Sequence, residues 1–279
     1  MNEDQPTVGV CPAGETPYSA YLQTETLHSL QRPTSDSPAE RAFMVHVQIS
    51  ELYWALVVHE LQAAQAQLRR DNLSAANRTL ARTVAHLQAM NANWKSLSSL
   101  TPAELLPILR GIASTYGKDS SLQGWAFRHM AFLFGIKQRQ ALEHFKPQPL
   151  RLRQLSDALG APSIYDDVLA ALKRGGATIP QELLDRDLAE PYVPSAEVEA
   201  VWQDIYSRDG PADPWRTMAE LLADIAVEFT NWKYLHLMAT RRTFGGRPTH
   251  FAQDAIAWLL PTMDEIPFPE VWSARVTVG

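Results

Sequence analysis

Cysteine is almost absent: Cys11 stands alone among 279 residues, which excludes an internal disulfide framework and any cysteine-rich zinc or iron–sulfur site. Val10-Cys11-Pro12 reads as a free thiol on a loose N-terminal arm. Positive charge is also scarce. The net charge is −6, and no cluster of Lys and Arg alternates with exposed aromatics, so nucleic acid is not an expected partner. No apolar run approaches the roughly 20 residues of a membrane span. Met1-Asn-Glu-Asp has neither a basic region nor an apolar signal core, and the expected compartment is the cytosol. Period-two alternation of useful length is missing too, which removes a β architecture. What is present is 46% hydrophobic residues, enough to bury a sizeable core.

The chain reads as helices joined by proline-bearing connections, an all-α bundle treated as one domain over 1–279. Residues 1–36, with Pro6, Pro12 and Pro17, are expected to form an irregular arm. Ser37-Pro38-Ala39-Glu40 has the form of a capping box with proline at the first helical position, and predicts a helix to about Asp71. Thr101-Pro102-Ala103-Glu104 repeats that start signal. A helix from about Leu73 to Leu97 carries Leu80, Val84, Leu87 and Trp94; another from about Ser121 to Phe145 carries Leu122, Trp125, Phe132 and Leu133. In 147–213, Pro147, Pro149, Pro162, Pro180, Pro191, Pro194 and Pro211 cut the chain into short helices, expected as a cover on the bundle. A last long helix, about Trp215 to Phe244, is stopped by Gly245-Gly246.

On that last helix Leu222, Ile225, Phe229 and Trp232 recur at steps of three and four, and His236 is the next member of the stripe. Its imidazole therefore points inward. Leaving a buried ring nitrogen unpaired costs roughly 1–3 kcal/mol, so it needs partners. Spacing leaves three open: a backbone carbonyl in an ordinary core, a carboxylate, or a metal.

Four blocks, in order, bear on that choice. They are Tyr18-Ser-Ala-Tyr21-Leu22 through Leu30-Gln31; Phe43-Met-Val-His46-Val47-Gln48 through Glu51-Leu52 to His59-Glu60-Leu61; Ser121-Leu-Gln123 through Arg128 to Gly135-Ile-Lys137; and Trp232-Lys-Tyr-Leu-His236 with Arg242 and Gly245, ending in Phe268-Pro269-Glu270-Val-Trp272-Ser-Ala-Arg275. Together they resemble the tryptophan 2,3-dioxygenase superfamily, whose patterns there are close to YxxYL…LQ, FIVVHQxxELWFxxxxHEL, SGFQSxQxR…EFxLGxK and WRxxHxxxVxRxxG with FPELWxxR.

The resemblance implies an all-α haem protein that forms homo-oligomers, the N-terminal arm reaching a neighbouring subunit. It implies haem b as cofactor with His236 as the axial ligand, which supplies the partner a buried imidazole needs and leaves the opposite iron position open to dioxygen or hydrogen peroxide. It also aligns Arg128 with the family arginine that clamps the substrate carboxylate, a task suited to a planar guanidinium whose paired N–H groups meet both oxygens. Cys11-Pro12 is the competing ligand, since such a step supplies a thiolate to haem in some peroxygenases; His236 is preferred.

Two departures fall where chemistry is decided. The family's distal histidine is Val47 here, which can neither accept an indole N–H nor relay a proton. His46 is adjacent but turned by about 100° on a helix, so it does not simply substitute; it is kept as a candidate catalytic residue. Ungapped spacing from His236 places Thr249-His250-Phe251-Ala252-Gln253-Asp254-Ala255 on the family's glycine-rich substrate loop, and makes His250 a candidate hydrogen-bond partner or proton shuttle. Phe43, Val47 and Trp125 are candidates for an apolar substrate wall. The joint departures resemble relatives in natural-product (antibiotic) pathways that insert one oxygen atom into a free aromatic amino acid. L-Tyrosine is the first expectation, hydroxylated to 3,4-dihydroxyphenylalanine with peroxide or with dioxygen and a reductant, because a phenol does not need the missing indole acceptor. Oxindole formation from a tryptophan derivative, true tryptophan dioxygenation and a non-catalytic haem sensor are the alternatives.

Overall fold

Long apolar stripes dictate the frame. In the computed structural model, which describes residues 14–117, 123–208, 213–245 and 252–277, α3 (Glu40–Leu68), α4 (Leu73–Leu97) and α11 (Pro214–Phe244) run side by side, α4 between the other two. Val57, Leu61, Ala64 and Leu68 of α3 meet Ala76, Leu80 and Leu87 of α4, and Met218, Leu222 and Ile225 of α11 close the same cluster. The short α3–α4 connection forces antiparallel packing. Asp71 turns it at φ 56°, and the Asn72 side chain caps α4 by accepting from the Ala75 amide at 3.1 Å.

Shorter elements complete the chain: α1 (Pro17–Leu22), α2 (Thr24–Ser29), α5 (Pro102–Tyr116), α6 (Trp125–Leu133), a 3-10 segment (Arg139–Phe145), α7 (Pro149–Leu159), α8 (Ile164–Arg174), α9 (Gln181–Leu184), α10 (Ala196–Ser207), α12 (Ala252–Thr262) and α13 (Pro269–Ser273). All regular structure among the described residues is helical, as the missing period-two pattern required. Val168 and Leu169 of α8, with Val198 and Trp202 of α10, belong to the same apolar cluster as α3, α4 and α11. The proline-cut stretch is thus packed into the main core. The buried Glu270 carboxylate ties this side together, accepting from the Tyr165 hydroxyl (3.0 Å), the Tyr192 hydroxyl (2.6 Å) and the Ser195 amide (2.8 Å). Among the described residues no helix is long and apolar enough to cross a membrane.

Four local expectations are corrected. The arm is not wholly irregular, since Thr16 caps α1 through a box with Ser19. No box forms at Ser37: the Glu40 carboxylate is drawn to the Thr34 and Ser35 amides at 2.7 and 2.6 Å, and α3 begins at Glu40 without a side-chain cap. It ends at Leu68, before the left-handed Asp71, rather than at Asp71 itself. The helix expected from Ser121 to Phe145 is broken, because Gly135 takes φ 87° after α6 and the chain resumes as the 3-10 segment; a positive φ of this kind suits glycine. Ser121 and Leu122 lie outside the described residues.

Thr101, by contrast, caps α5 as the sequence predicts, with Glu104 returning the bond to the Thr101 amide at 2.8 Å. Thr101→Ala should therefore cost about 1 kcal/mol in urea unfolding, whereas Ser37→Ala should be close to neutral.

Candidate functional site

His236 sits on the α11 stripe among Phe229 and Trp232, both buried. Its ring is half-buried and its Nδ1 atom is fully covered. Trp94 from α4 stacks on the imidazole, centroids 5.2 Å apart at 25°, and Trp232 meets it edge-on at 5.4 Å. Burial among these rings, reinforced by His46 as a second basic neighbour, pushes the imidazole down to about 4. The ring is therefore neutral at physiological pH and keeps a lone pair for a metal.

The surroundings fit a tetrapyrrole-bound metal better than a bare ion. Among the described residues no three His, Cys, Asp or Glu side chains gather as a metal-binding group, so a metal held by His236 would bring further donors of its own. Behind Trp232 the aromatic cluster continues through Trp54, at 5.6 Å between centroids, and Phe127, while Trp94 packs on both Trp232 and His236. The Trp54 and Trp232 indole nitrogens are buried with no acceptor among the described residues. Each such donor costs about 1–3 kcal/mol, a cost that acceptor groups on a bound cofactor would relieve.

Arg128 lies on α6, which faces α3, with its guanidinium buried. Phe127, its chain neighbour, packs on Trp232 at 4.9 Å and on Phe229 at 6.2 Å, linking the arginine to the His236 cluster. Arg128 lines a small pocket with Phe127, Gln138, Phe229, Lys233 and Glu265. Its Nη1 donates to Gln138 Oε1 at 3.3 Å, and Gln138 Nε2 donates to Glu265 Oε1 at 2.6 Å. Burial lowers the arginine from its ordinary value, and the Glu265 carboxylate opposes that shift.

The other sequence-chosen residues are dispersed. His46 is buried at the α3–α4 contact, its Nδ1 paired with the Asn93 carbonyl at 3.2 Å and its ring edge-on to Trp94 at 5.1 Å. It neighbours His236 through Trp94 rather than lining the Arg128 pocket. Burial also lowers its pKa, against the pull of Asn93. Phe43 packs against the separate cluster of Leu100, Leu105 and Ile108, because the apolar face of α5 covers the start of α3. Val47 is exposed on α3. Trp125 is half-buried beneath the Arg151 guanidinium, 3.9 Å from its ring. These three do not form one wall among the described residues; Phe127 and Phe229 flank the pocket instead. Cys11 and His250 lie outside the described residues.

The sequence reading assigned no site role to Gln138, Lys233, Glu265 or Trp94. Lys233 Nζ donates to the Thr262 carbonyl and, at 2.9 Å, to that of Glu265, closing the end of α12. A lysine inside the stripe-bearing stretch Trp232-Lys233-Tyr234 was the available signal. For Gln138 and Glu265 there was none, since 127 positions separate them.

Comparison with known proteins extends these observations. A family model described as tryptophan 2,3-dioxygenase matches residues 2–149. The chain is similar to a tryptophan 2,3-dioxygenase of Caulobacter vibrioides, with 34% identity over 265 residues, 94% of this chain and 98% of that protein. It shares 36% identity over 267 residues with one from an Arthrobacter species, covering 94% and 92% of the two chains. With one from Bacillus thuringiensis it shares 32% over 258 residues, covering 92% and 91%.

Proposed function

Because the chain belongs to the tryptophan 2,3-dioxygenase family, whose members are haem-dependent oxidoreductases, we propose that it oxygenates the aromatic ring of a free L-amino acid. The observation that carries this reading is the pairing of a neutral, aromatic-walled imidazole on α11 with a buried guanidinium on α6, linked through Phe127 and Trp232.

His236 is the residue that would hold the iron of haem b, and Trp94 fixes the plane of its ring. When bound, haem b would supply the redox-active iron at which dioxygen or peroxide is used. Arg128 receives the substrate carboxylate, and its fork sets direction as well as charge. Phe127 and Phe229 give the aromatic ring an apolar bed and keep water from it. His250, on the segment that aligns with the family's substrate loop, and His46, behind Trp94, are the imidazoles available to hold or move a proton.

The relatives' name favours an indole substrate, L-tryptophan or a β-substituted tryptophan, over the L-tyrosine expected first. Val47 bears on the outcome: with no imidazole at that position to take the indole proton, insertion of one oxygen atom is favoured over two. The same residue supports L-tyrosine hydroxylation to 3,4-dihydroxyphenylalanine as a second reading, since a phenol needs no such acceptor. A natural-product pathway is the setting in which single-oxygen products of this kind are made. A homo-oligomer is also proposed, because Tyr18, Tyr21 and Leu22 on α1, with Leu27 on α2, leave apolar surface exposed that a second copy would cover.

Mass spectrometry of products tests this directly. The haem-loaded protein is incubated with L-tryptophan, β-methyl-L-tryptophan or L-tyrosine, with peroxide or with ascorbate and dioxygen. One added oxygen atom on a tryptophan-type substrate is expected. N-Formylkynurenine as the main product would make the protein a true dioxygenase, and hydroxylation of tyrosine alone would select the second reading. Bound haem with no product from any of them would overturn the enzymatic proposal and leave a sensor.

A further inference from the structure

We propose that Glu265 takes the α-ammonium group of the substrate, so that Arg128 and Glu265 together read both charges of a zwitterionic amino acid. This rests on the assignment of Arg128 as carboxylate clamp and adds the group that distinguishes an amino acid from a simple aromatic acid.

The pocket holds opposite charges at two ends of one polar bridge. Arg128 donates to the Gln138 amide oxygen, and the Gln138 amide nitrogen donates to the Glu265 carboxylate. A primary amide presents an acceptor and a donor joined through one carbon. The carboxylate and ammonium of an α-amino acid are likewise joined through one carbon, in the order acceptor then donor. The Gln138 amide thus spans guanidinium and carboxylate as a bound zwitterion would, and yields its place to one.

Charge accounting points the same way. Gln138 is neutral, and the Arg128 and Lys233 charges reach the Glu265 carboxylate through space while Gln138 makes the hydrogen bond to it. Lys233, the other cation on the pocket wall, directs its ammonium to the backbone carbonyls of Thr262 and Glu265 rather than to the Glu265 carboxylate. Glu265 is half-buried, so an ammonium bound there is partly shielded from water, which strengthens the contact relative to a surface pair. Phe127 and Phe229 line the pocket beside these charges.

Calorimetry on the haem-loaded full-length protein tests the assignment with paired probes: L-tryptophan against indole-3-propionate, and L-tyrosine against 3-(4-hydroxyphenyl)propionate. The wild type should bind the preferred amino acid about ten- to hundredfold more tightly than its amine-free partner, the range of one charge-assisted hydrogen bond. Glu265→Gln should erase that preference while sparing the amine-free acid. Equal weakening of both acids by Glu265→Gln would reduce Glu265 to a support for Arg128 and overturn the proposal. Should that variant fail to fold, equal wild-type affinities for amino acid and amine-free acid would overturn it unaided. Arg128→Gln separates the premise: unchanged binding of both acids would remove the carboxylate clamp itself, whereas a failure confined to Glu265 leaves the clamp standing.

Discussion

Replacing His236 with alanine is expected to abolish the haem absorption spectrum and, with it, product formation. The loss should exceed the roughly 10–100-fold that follows removal of a group merely supporting a metal ligand, because among the described residues no three His, Cys, Asp or Glu side chains gather that could hold a metal without it. Trp94 and Trp232 enclose the ring, so the alanine variant leaves an imidazole-sized space, and added imidazole should restore part of the spectrum. Cys11→Ala should leave the spectrum intact; the reverse pattern would make the cysteine thiolate the ligand. A haem-free measurement supplies an independent check. Burial lowers His236 to about 4 in the fold, so the stability of the neutral ring is fully present above the ordinary imidazole pKa and is lost as pH falls towards 4. Urea titrations of the haem-free wild type should show this acid-side loss, and those of His236→Ala a smaller one, since burial lowers His46 and His129 as well.

Arg128→Gln is expected to lower kcat/KM for aromatic L-amino acids by about a hundredfold or more, the scale of a charge-assisted bidentate contact removed from a site shielded from water. Haem content should be unchanged, since the side chain touches Gln138 and Phe127 rather than His236. Arg128→Lys should not rescue activity, because a point-like ammonium cannot present two parallel N–H groups to a carboxylate. Tryptamine, which has no carboxylate, should bind wild type and variant alike. If Arg128→Gln turned over L-tryptophan at the wild-type rate, the residue would be a structural partner of Glu265 only. Folding of the variant is to be checked by urea unfolding, as Arg128 is a buried cation joined to Glu265 through the Gln138 amide.

Helical architecture was legible wherever the signal was local. The α4 span, Leu73–Leu97, and the Thr101 cap of α5 follow from residues within a turn or two of one another, and both occur as expected. Ser37 carried the same local pattern and failed, because Thr34 and Ser35 outcompete it for the Glu40 carboxylate. The break after α6 was missed because a left-handed Gly135 ends a helix whose apolar pattern alone would continue.

His236 on an inward stripe, the ordered blocks that mark the family, and Arg128 as a candidate clamp were all present in the amino-acid order, since helical periodicity and motif spacing are one-dimensional properties. Tertiary packing alone decided that Trp94 covers the His236 ring, that Phe43 joins a different cluster from Phe127, and that Gln138 and Glu265 meet beside Arg128. Each of those contacts joins elements far apart in the chain. Their positions follow from how helix ridges interlock and which buried polar groups find partners, and neither leaves a periodic trace in sequence.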